Sequence, residues 1–473
     1  MQLPIVSPAP LVATHAQAFR DLFCDEREFR HFQNYLTGLM VLENKSLANI
    51  SRCTLDSADK TNLSRFLAAA PWEPEAVNER RVPYLMSQTL RLRRSASESC
   101  LILDDTLCEH VGSLFEYIDR HYNHSNGTYP LAHSVVTSHY LSGAVRFPVD
   151  YRLYRRYEEM TQWEHFVGEH FPAQVIPTKA KERQKLHRQL DATLLNDPQF
   201  AQLHQQFRTK IALASELVKQ AVQRELPFST VLLDSWYLSP DLVELLRQYH
   251  KDWVSLLKCN RNLEVHSFQL KDGQGQPLEL EGPHIKVEEL IARIDPTAYR
   301  QVVVGEQSYW CFTFCVRIPG LGKVRLVISF SNAQLSGTYA ILVTNRTDWS
   351  AKQILTKYLL RWPIETFYRD GKQHLGFDEY RVRTLEAIQT HWCLVFVAYS
   401  ILHLACLPPP PTKGSKGKRP AHPIQTIGEV CRQQSQALIE KLILFAHDLL
   451  EQGQSAKQVF EQLFAKQQRK VMT

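Results

Sequence analysis

Four residues in the stretch 358–372, YLLRWPIETFYRDGK, carry polar or charged groups at helical intervals. Tyr358, Arg361, Glu365 and Lys372 follow one another at steps of three, four and seven. At about 100° per residue they fall within roughly 60° of one helix face. A phenol, two cations and one carboxylate on a single face fit two readings. One is a solvated surface with Glu–Lys pairing. The other is a site in which an acid works beside groups that hold anions. Pro363 lies inside the stretch and is expected to kink or restart the helix near Trp362.

Two further acidic positions stand at the tips of apolar runs. LILDDT ends in Asp104 and Asp105, and FSTVLLDSWY carries Asp234. Both read as buried strands. Asp105 precedes Asp234 by 129 residues, and Asp234 precedes Glu365 by 131. A lone acid at a strand end serves equally well to cap a helix or close a turn. Three carboxylates on strand, strand and late helix form a set of hard oxygen donors suited to divalent cations. Two such ions about 3.5–4 Å apart can activate an attacking oxygen and stabilise a leaving one in phosphoryl transfer. If the first strand runs through its adjacent aspartates, one points toward the site and the other away. Asp105, directly before Thr106, is taken as the ligand.

The neighbouring groups suit a phosphate-bearing substrate. Arg361, Lys372 and Arg346 (in VTNRTDW) are candidate phosphate contacts. Tyr358 and Trp362 can stack on bases or pack on sugar. His121 and His124 form an HxxH with nothing nearby to complete a zinc site, and read as surface or loop residues. There is no P-loop and no GxGxxG, so a bound nucleotide cofactor is not indicated.

The rest of the chain must position these groups. Its 473 residues leave room for several domains, and 44% hydrophobic content supports a substantial core. Lys and Arg exceed Asp and Glu by 55 to 49, a mild excess that permits nucleic-acid binding without arguing for it. Ten cysteines form no CxxC pair and read as reduced and mostly buried, as in a cytosolic protein. The N-terminus lacks the basic start and apolar run of a signal peptide. The apolar run 392–407 is short for a membrane span and reads as a buried core helix, so no membrane partner is expected.

Residues 1–96 read as a helical N-terminal DNA-binding region, in which KSLANISR and DSADKTNLSRFLAAAPW fit the two short helices of a helix-turn-helix or equally those of a generic helical bundle. The core begins at 97 and runs to 261. Glycine and polar residues are expected over 112–143, and helices over 178–223. Ser239-Pro240 is a good helix start. Residues 262–346 turn strand-rich, with runs QVVVG, YWCFTFCVR, KVRLVISF and YAILVT. Residues 347–407 return to helix, 408–423 form a Pro/Lys linker, and 424–473 form a helical C-terminal region.

Tyr358-x2-Arg361-x3-Glu365-x6-Lys372 resembles the tyrosine–arginine–glutamate–lysine signature of bacterial insertion-sequence transposases with a DDE triad. RWPIE, KQHLGFDEYRVR, LDDT and LLDSWY are similar to other motifs of that family, and the resemblance spans roughly 30 to 406. It implies an α/β fold: an RNase H-like catalytic core interrupted by a β-rich insertion, with helical N-terminal and C-terminal regions. It also implies a cut-and-paste transposase that binds terminal inverted repeats, nicks each end and joins the ends to target DNA. Mg2+ is the implied cofactor, with Mn2+ as a substitute. The implied partners are double-stranded DNA of transposon ends and target, and a second copy of the chain in a synaptic homodimer. The implied location is the bacterial cytoplasm, on the nucleoid. Carried over by position, Asp105, Asp234 and Glu365 become the catalytic metal ligands. Tyr358, Arg361, Lys372, Trp362 and Arg346 become DNA contacts, and the residue stacking on a flipped base is one of Trp310, Trp349 and Trp362. Two alternatives stay open: a non-cutting DNA-binding descendant, and an RNase H-fold nuclease without strand transfer.

Overall fold

The computed structural model describes residues 2–55, 60–155, 162–206, 208–271, 274–408 and 426–468. Apart from Pro408, the linker expected at 408–423 lies outside the described residues. The chain opens with helices α1 (Pro10–His15), α2 (Glu26–Val41), α3 (Leu47–Cys53), α4 (Lys60–Ala68) and α5 (Pro74–Gln88). In α2, Asp25 caps the first turn by accepting from the Glu28 amide. Phe29, Phe32, Leu36 and Leu39 then return to one buried face.

Strands follow: β1 (Cys100–His110), β2 (Asp119–Arg120), β3 (Leu131–Ser142) and β4 (Val145–Tyr154). Next come helices α6 (Gln162–His170), α7 (Ala180–Leu194), α8 (Pro198–Gln206) and α9 (Lys210–Gln223), then β5 (Thr230–Leu233), α10 (Pro240–Gln248) and β6 (Asp252–Leu256). Helix α10 starts as the Ser-Pro pair predicts, with Ser239 Oγ accepting from the Leu242 amide. Helices α6–α8 close a small cluster of their own around Trp163, Val167 and Phe200.

The segment 112–143, read from sequence as glycine and polar residues, contains the long buried strand β3. Two of its polar side chains, Thr137 and His133, find tyrosine partners inside the fold. Thr137 Oγ1 lies 2.5 Å from the Tyr368 hydroxyl, and His133 Nδ1 lies 2.6 Å from that of Tyr380.

The strand-rich stretch supplies β7 (Asn262–Glu264) and β8 (His284–Lys286), which pair with each other in a separate two-stranded sheet, with α11 (Val287–Ile291) after them. It continues with β9 (Arg300–Val304), β10 (Gln307–Ile318), β11 (Gly322–Phe330) and β12 (Tyr339–Thr344). These last four join the main sheet, which has ten strands in the order β2-β3-β1-β5-β6-β12-β11-β10-β9, with β4 on β3. Within it, β4-β3-β1 run antiparallel while β5 and β6 run parallel to β1. That arrangement is the RNase H-like core. The insertion extends it by pairing Leu342 with Leu256 and Thr344 with Val254.

Helices cover both faces of the sheet. Cys100, Ile102 and Leu232 face one core, shared with the N-terminal helices and with α12 (Ala351–Leu359), α13 (Pro363–Leu375), α14 (Leu385–Cys406) and α15 (Ile427–Glu451). Leu101, Leu103, Val231 and Leu233 face the other, with α9 and α10. The central strands are therefore apolar on both sides, as expected of strands covered by helices twice over. Helix α14 is long and apolar enough to cross a membrane, but it is enclosed between α2, α4, α5 and α15. Helix α16 (Ala456–Gln468) closes the described chain.

Candidate active site

Strand alternation separates the adjacent aspartates. Asp104 continues the face of Cys100 and Ile102, toward α13 and α14; Asp105 continues that of Leu101 and Leu103, toward α9. The contacts follow that geometry. Asp104 accepts a hydrogen bond from Arg361 Nη1. Asp105 accepts from Lys210 Nζ at 2.5 Å and from the Tyr237 hydroxyl at 2.7 Å. The carboxylate expected from sequence to meet Glu365 is thus turned to the opposite face, and Asp104 takes that place.

Arg361 connects the late helix to the first strand. Its Nη2 donates to Glu365 Oε1 while its Nη1 holds Asp104. One planar guanidinium spans two carboxylates from opposite ends of the core. Proline shapes the approach. Helix α12 ends at Leu359, α13 begins at Pro363, and the link between them runs in tighter i→i+3 hydrogen bonds. Arg361 donates its amide to Tyr358, Trp362 to Leu359, and Ile364 to Arg361. Pro363, at the first helical position, needs no partner for the N–H it lacks. The expected restart near Trp362 therefore occurs, and Arg361 still reaches Glu365 one turn on. Gly376 ends α13 in the left-handed conformation at φ 67°.

Asp234 immediately follows β5, at the end of a strand parallel to β1. Its carboxylate accepts from the Ser235 amide, and its carbonyl accepts from Ser255 Oγ at 3.2 Å. Its charge acts on Asp104, Arg361 and Tyr358. Burial pushes the Asp104 carboxyl up to about 7; the neighbouring Asp105 and Asp234 add to the rise, and Arg361 opposes it. Burial likewise pushes the Tyr358 phenol up to about 12.

The other expected DNA contacts scatter around this centre. Arg361 lies 5.9 Å from the Tyr358 ring centroid. Lys372 donates to the Leu107 carbonyl of β1 at 2.6 Å and lies 3.9 Å from Asp378. Trp362 is 65% exposed. Arg346 already spends its fork on Asp252 (2.9 Å) and Asp348 (2.7 Å), above the Trp349 ring. Trp310 and Trp349 are partly buried against the two cores, leaving Trp362 the open ring among the three candidates. His124 is exposed, whereas His121 is buried, with its ring 6.0 Å from Tyr154.

The donor chemistry suits a divalent cation: three carboxylates act on one site, and a positive charge beside the buried Asp104 favours its ionised form. Arg361 supplies that charge here. Among the described residues, only the exposed group His447, Asp448 and Glu451 brings three such donor atoms within 4.8 Å of one another. Asp104, Asp234 and Glu365 stand wider, with the guanidinium between two of them. Lys210 and Tyr237, which fix Asp105, carry no sequence signal that tied them to the site. Each lies more than a hundred residues from its partner.

A family profile described as DDE superfamily endonuclease matches residues 18–307. The matched stretch contains Asp104, Asp105 and Asp234, and Glu365 lies beyond it. The chain is also similar to a probable transposase for insertion sequence element IS701 from Microchaete diplosiphon. The two are 23% identical over 271 residues, covering 55% of this chain and 59% of that protein. The chain thus spans less than two thirds of this relative's length. With more than half its length matched by the profile, and an RNase H-like sheet that brings an aspartate and a glutamate onto one guanidinium, the chain belongs to the DDE superfamily endonuclease family.

Proposed function

We propose that the chain is the transposase of an insertion sequence, which binds terminal inverted repeats, cuts DNA strands and joins the ends to a target. The observation that carries this reading is the shared guanidinium: Arg361 joins Asp104 to Glu365 and feels the charge of Asp234. On this reading Asp104, Asp234 and Glu365 hold Mg2+ or Mn2+, and Asp105 positions the strand. When bound, the cations activate the attacking oxygen and stabilise the leaving one.

The chain's own groups divide the remaining work. Arg361 offers a planar fork to a phosphate of the DNA, and leaves the carboxylates as it does so. Tyr358 and Trp362 provide aromatic surface for a base or sugar near the end. Lys372 contributes positive charge beside β1. Two copies of the chain hold the two ends of the element in one complex, and residues 1–96 contribute to binding the repeats. Transposition itself takes place on the bacterial nucleoid, in the cytoplasm.

The test is a cleavage and strand-transfer assay on the DNA flanking the gene, with Mg2+ present or replaced by EDTA. Metal-dependent nicks at inverted repeats, followed by joining to a target plasmid, are expected. Nicks without joining would reduce the reading to a nuclease; no nicks at all would remove it.

A further inference from the structure

Trp236 lies two residues past Asp234 and is 53% exposed, although its neighbours Leu233 and Tyr237 are buried. Lys258 Nζ stands 5.0 Å from its ring centroid. Both residues occupy loops at the carboxyl ends of the adjacent parallel strands β5 and β6. Open α/β sheets bind ligands in the crevice at that edge.

The loops are held rigidly. The Tyr237 amide donates to the Asp234 carbonyl at 3.1 Å, and its hydroxyl reaches Asp105 at 2.7 Å. Arg261 donates to the Leu238 carbonyl at 3.0 Å, tying the second loop to the first. The Arg261 amide donates to the Lys258 carbonyl at 3.2 Å, closing the turn that carries the lysine. An indole on so fixed a turn is presented to solvent by the backbone. Among the described residues, no carboxylate lies within ion-pair distance of the Lys258 ammonium, which leaves its charge available.

We infer that Trp236 and Lys258 form a nucleotide subsite for an unpaired stretch of the DNA strand beside the scissile phosphate. The inference rests on the transposase reading above and names a contact that reading does not use. A flat ring with an ammonium 5.0 Å from its centroid and no carboxylate partner among the described residues matches the two ends of one nucleotide. The base stacks on the indole and the phosphate meets the lysine. A base inside an intact duplex has both faces covered by its neighbours, so the occupant is unpaired. Trp236 sits on the turn that directly follows Asp234, at the carboxyl end of β5.

The experiment uses the full chain and three fluorescein-labelled probes: a dT oligonucleotide, a blunt duplex, and the same duplex with three unpaired nucleotides. Binding is read by anisotropy across a salt series. Trp236→Ala is expected to weaken binding of the two probes with unpaired nucleotides about tenfold, and to leave the blunt duplex within about twofold. Trp236→Phe, which keeps a ring, is expected to restore most of the loss. Lys258→Gln is expected to reduce the salt slope on the dT probe by about 0.7, one phosphate contact. Unchanged binding of unpaired DNA by Trp236→Ala would overturn the subsite and leave a protein partner as the alternative occupant. Equal losses on all three probes would overturn it as well. If the wild-type chain cuts DNA while Trp236→Ala binds normally, only this inference falls; if the wild-type chain cuts nothing, the transposase reading falls first.

Discussion

Arg361 and Asp104 form an ion pair in which both side chains are only 17% exposed. The guanidinium comes from the turn before α13 and the carboxylate from the middle of β1. The pair fixes which face of the first strand meets the last helix of the core. It also gives a buried acid the positive charge that a divalent cation would otherwise supply.

A cation already in place competes with a metal ion for the same oxygens. Arg361→Ala is therefore expected to bind Mn2+ more tightly than the wild-type chain in the absence of DNA. Free Mn2+ can be followed by electron paramagnetic resonance. A charge-assisted hydrogen bond is worth about 1.5–3 kcal/mol, which corresponds to a gain of about tenfold or more. The same variant is expected to lose DNA cleavage. Unchanged or weaker Mn2+ binding would show that the guanidinium does not occupy the metal's place.

The two adjacent aspartates should fail differently. Asp104→Asn is expected to abolish cleavage with the fold intact. Asp105→Asn removes the anionic partner of Lys210, a contact about 20% exposed on the opposite face. It is expected to lower stability by about 1–3 kcal/mol while cleavage remains measurable. Urea denaturation beside a nicking assay separates the two. Normal cleavage by Asp104→Asn with none by Asp105→Asn would reverse the assignment.

Gly376 closes α13 at φ 67°, a conformation that costs other L residues about 1–2 kcal/mol. An added Cβ would also meet Lys45 Cγ at 2.6 Å. Gly376→Ala should lower the unfolding midpoint accordingly, measured by circular dichroism on heating. A Tm equal to wild type would mean that the helix end relaxes without cost.

Two buried histidines predict an acid-sensitive fold. Burial holds His391 down to about 4 and His403 down to about 3, the nearby Arg146 charge adding to the second effect. His403 Nε2 accepts the Arg146 amide at 3.0 Å, and His391 lies 2.9 Å from the Gly376 carbonyl. The folded chain keeps both neutral, while the unfolded chain takes up protons near pH 6.5. Stability is thus fully present above about 6.5 and falls as pH drops toward the folded values. Each group contributes a slope of up to about 1.4 kcal/mol per pH unit. Denaturation midpoints at pH 7, 6 and 5 should decline, and His403→Gln should flatten the decline. An unchanged slope would assign the loss to other groups.

What the sequence shows follows from which signals are local. The apolar run before Asp234, the Ser239-Pro240 start and the long helix near 392–407 are each set by residues close in the chain, and all three appear in the fold. Strand β3 is hard to read because Thr137 and His133, two of its polar residues, find tyrosine partners more than two hundred residues away. The orientation of the Asp104–Asp105 pair was open for a related reason. Alternation shows that the two aspartates face opposite ways, but only the packing of α9 and α13 on opposite faces decides which one meets Arg361. Arg346 reads as a candidate phosphate contact from sequence, whereas in the fold Asp252, 94 positions earlier, and the adjacent Asp348 both hold its guanidinium.

The most direct measurement compares wild type with Glu365→Gln in a Mg2+-dependent nicking assay on the flanking DNA, with DNA binding followed in parallel. The substitution preserves the shape of the side chain and removes its charge. The expected result is loss of nicking with binding largely retained. Metal-dependent nicking at the wild-type rate by Glu365→Gln would contradict the assignment of Asp104, Asp234 and Glu365 as the cutting centre.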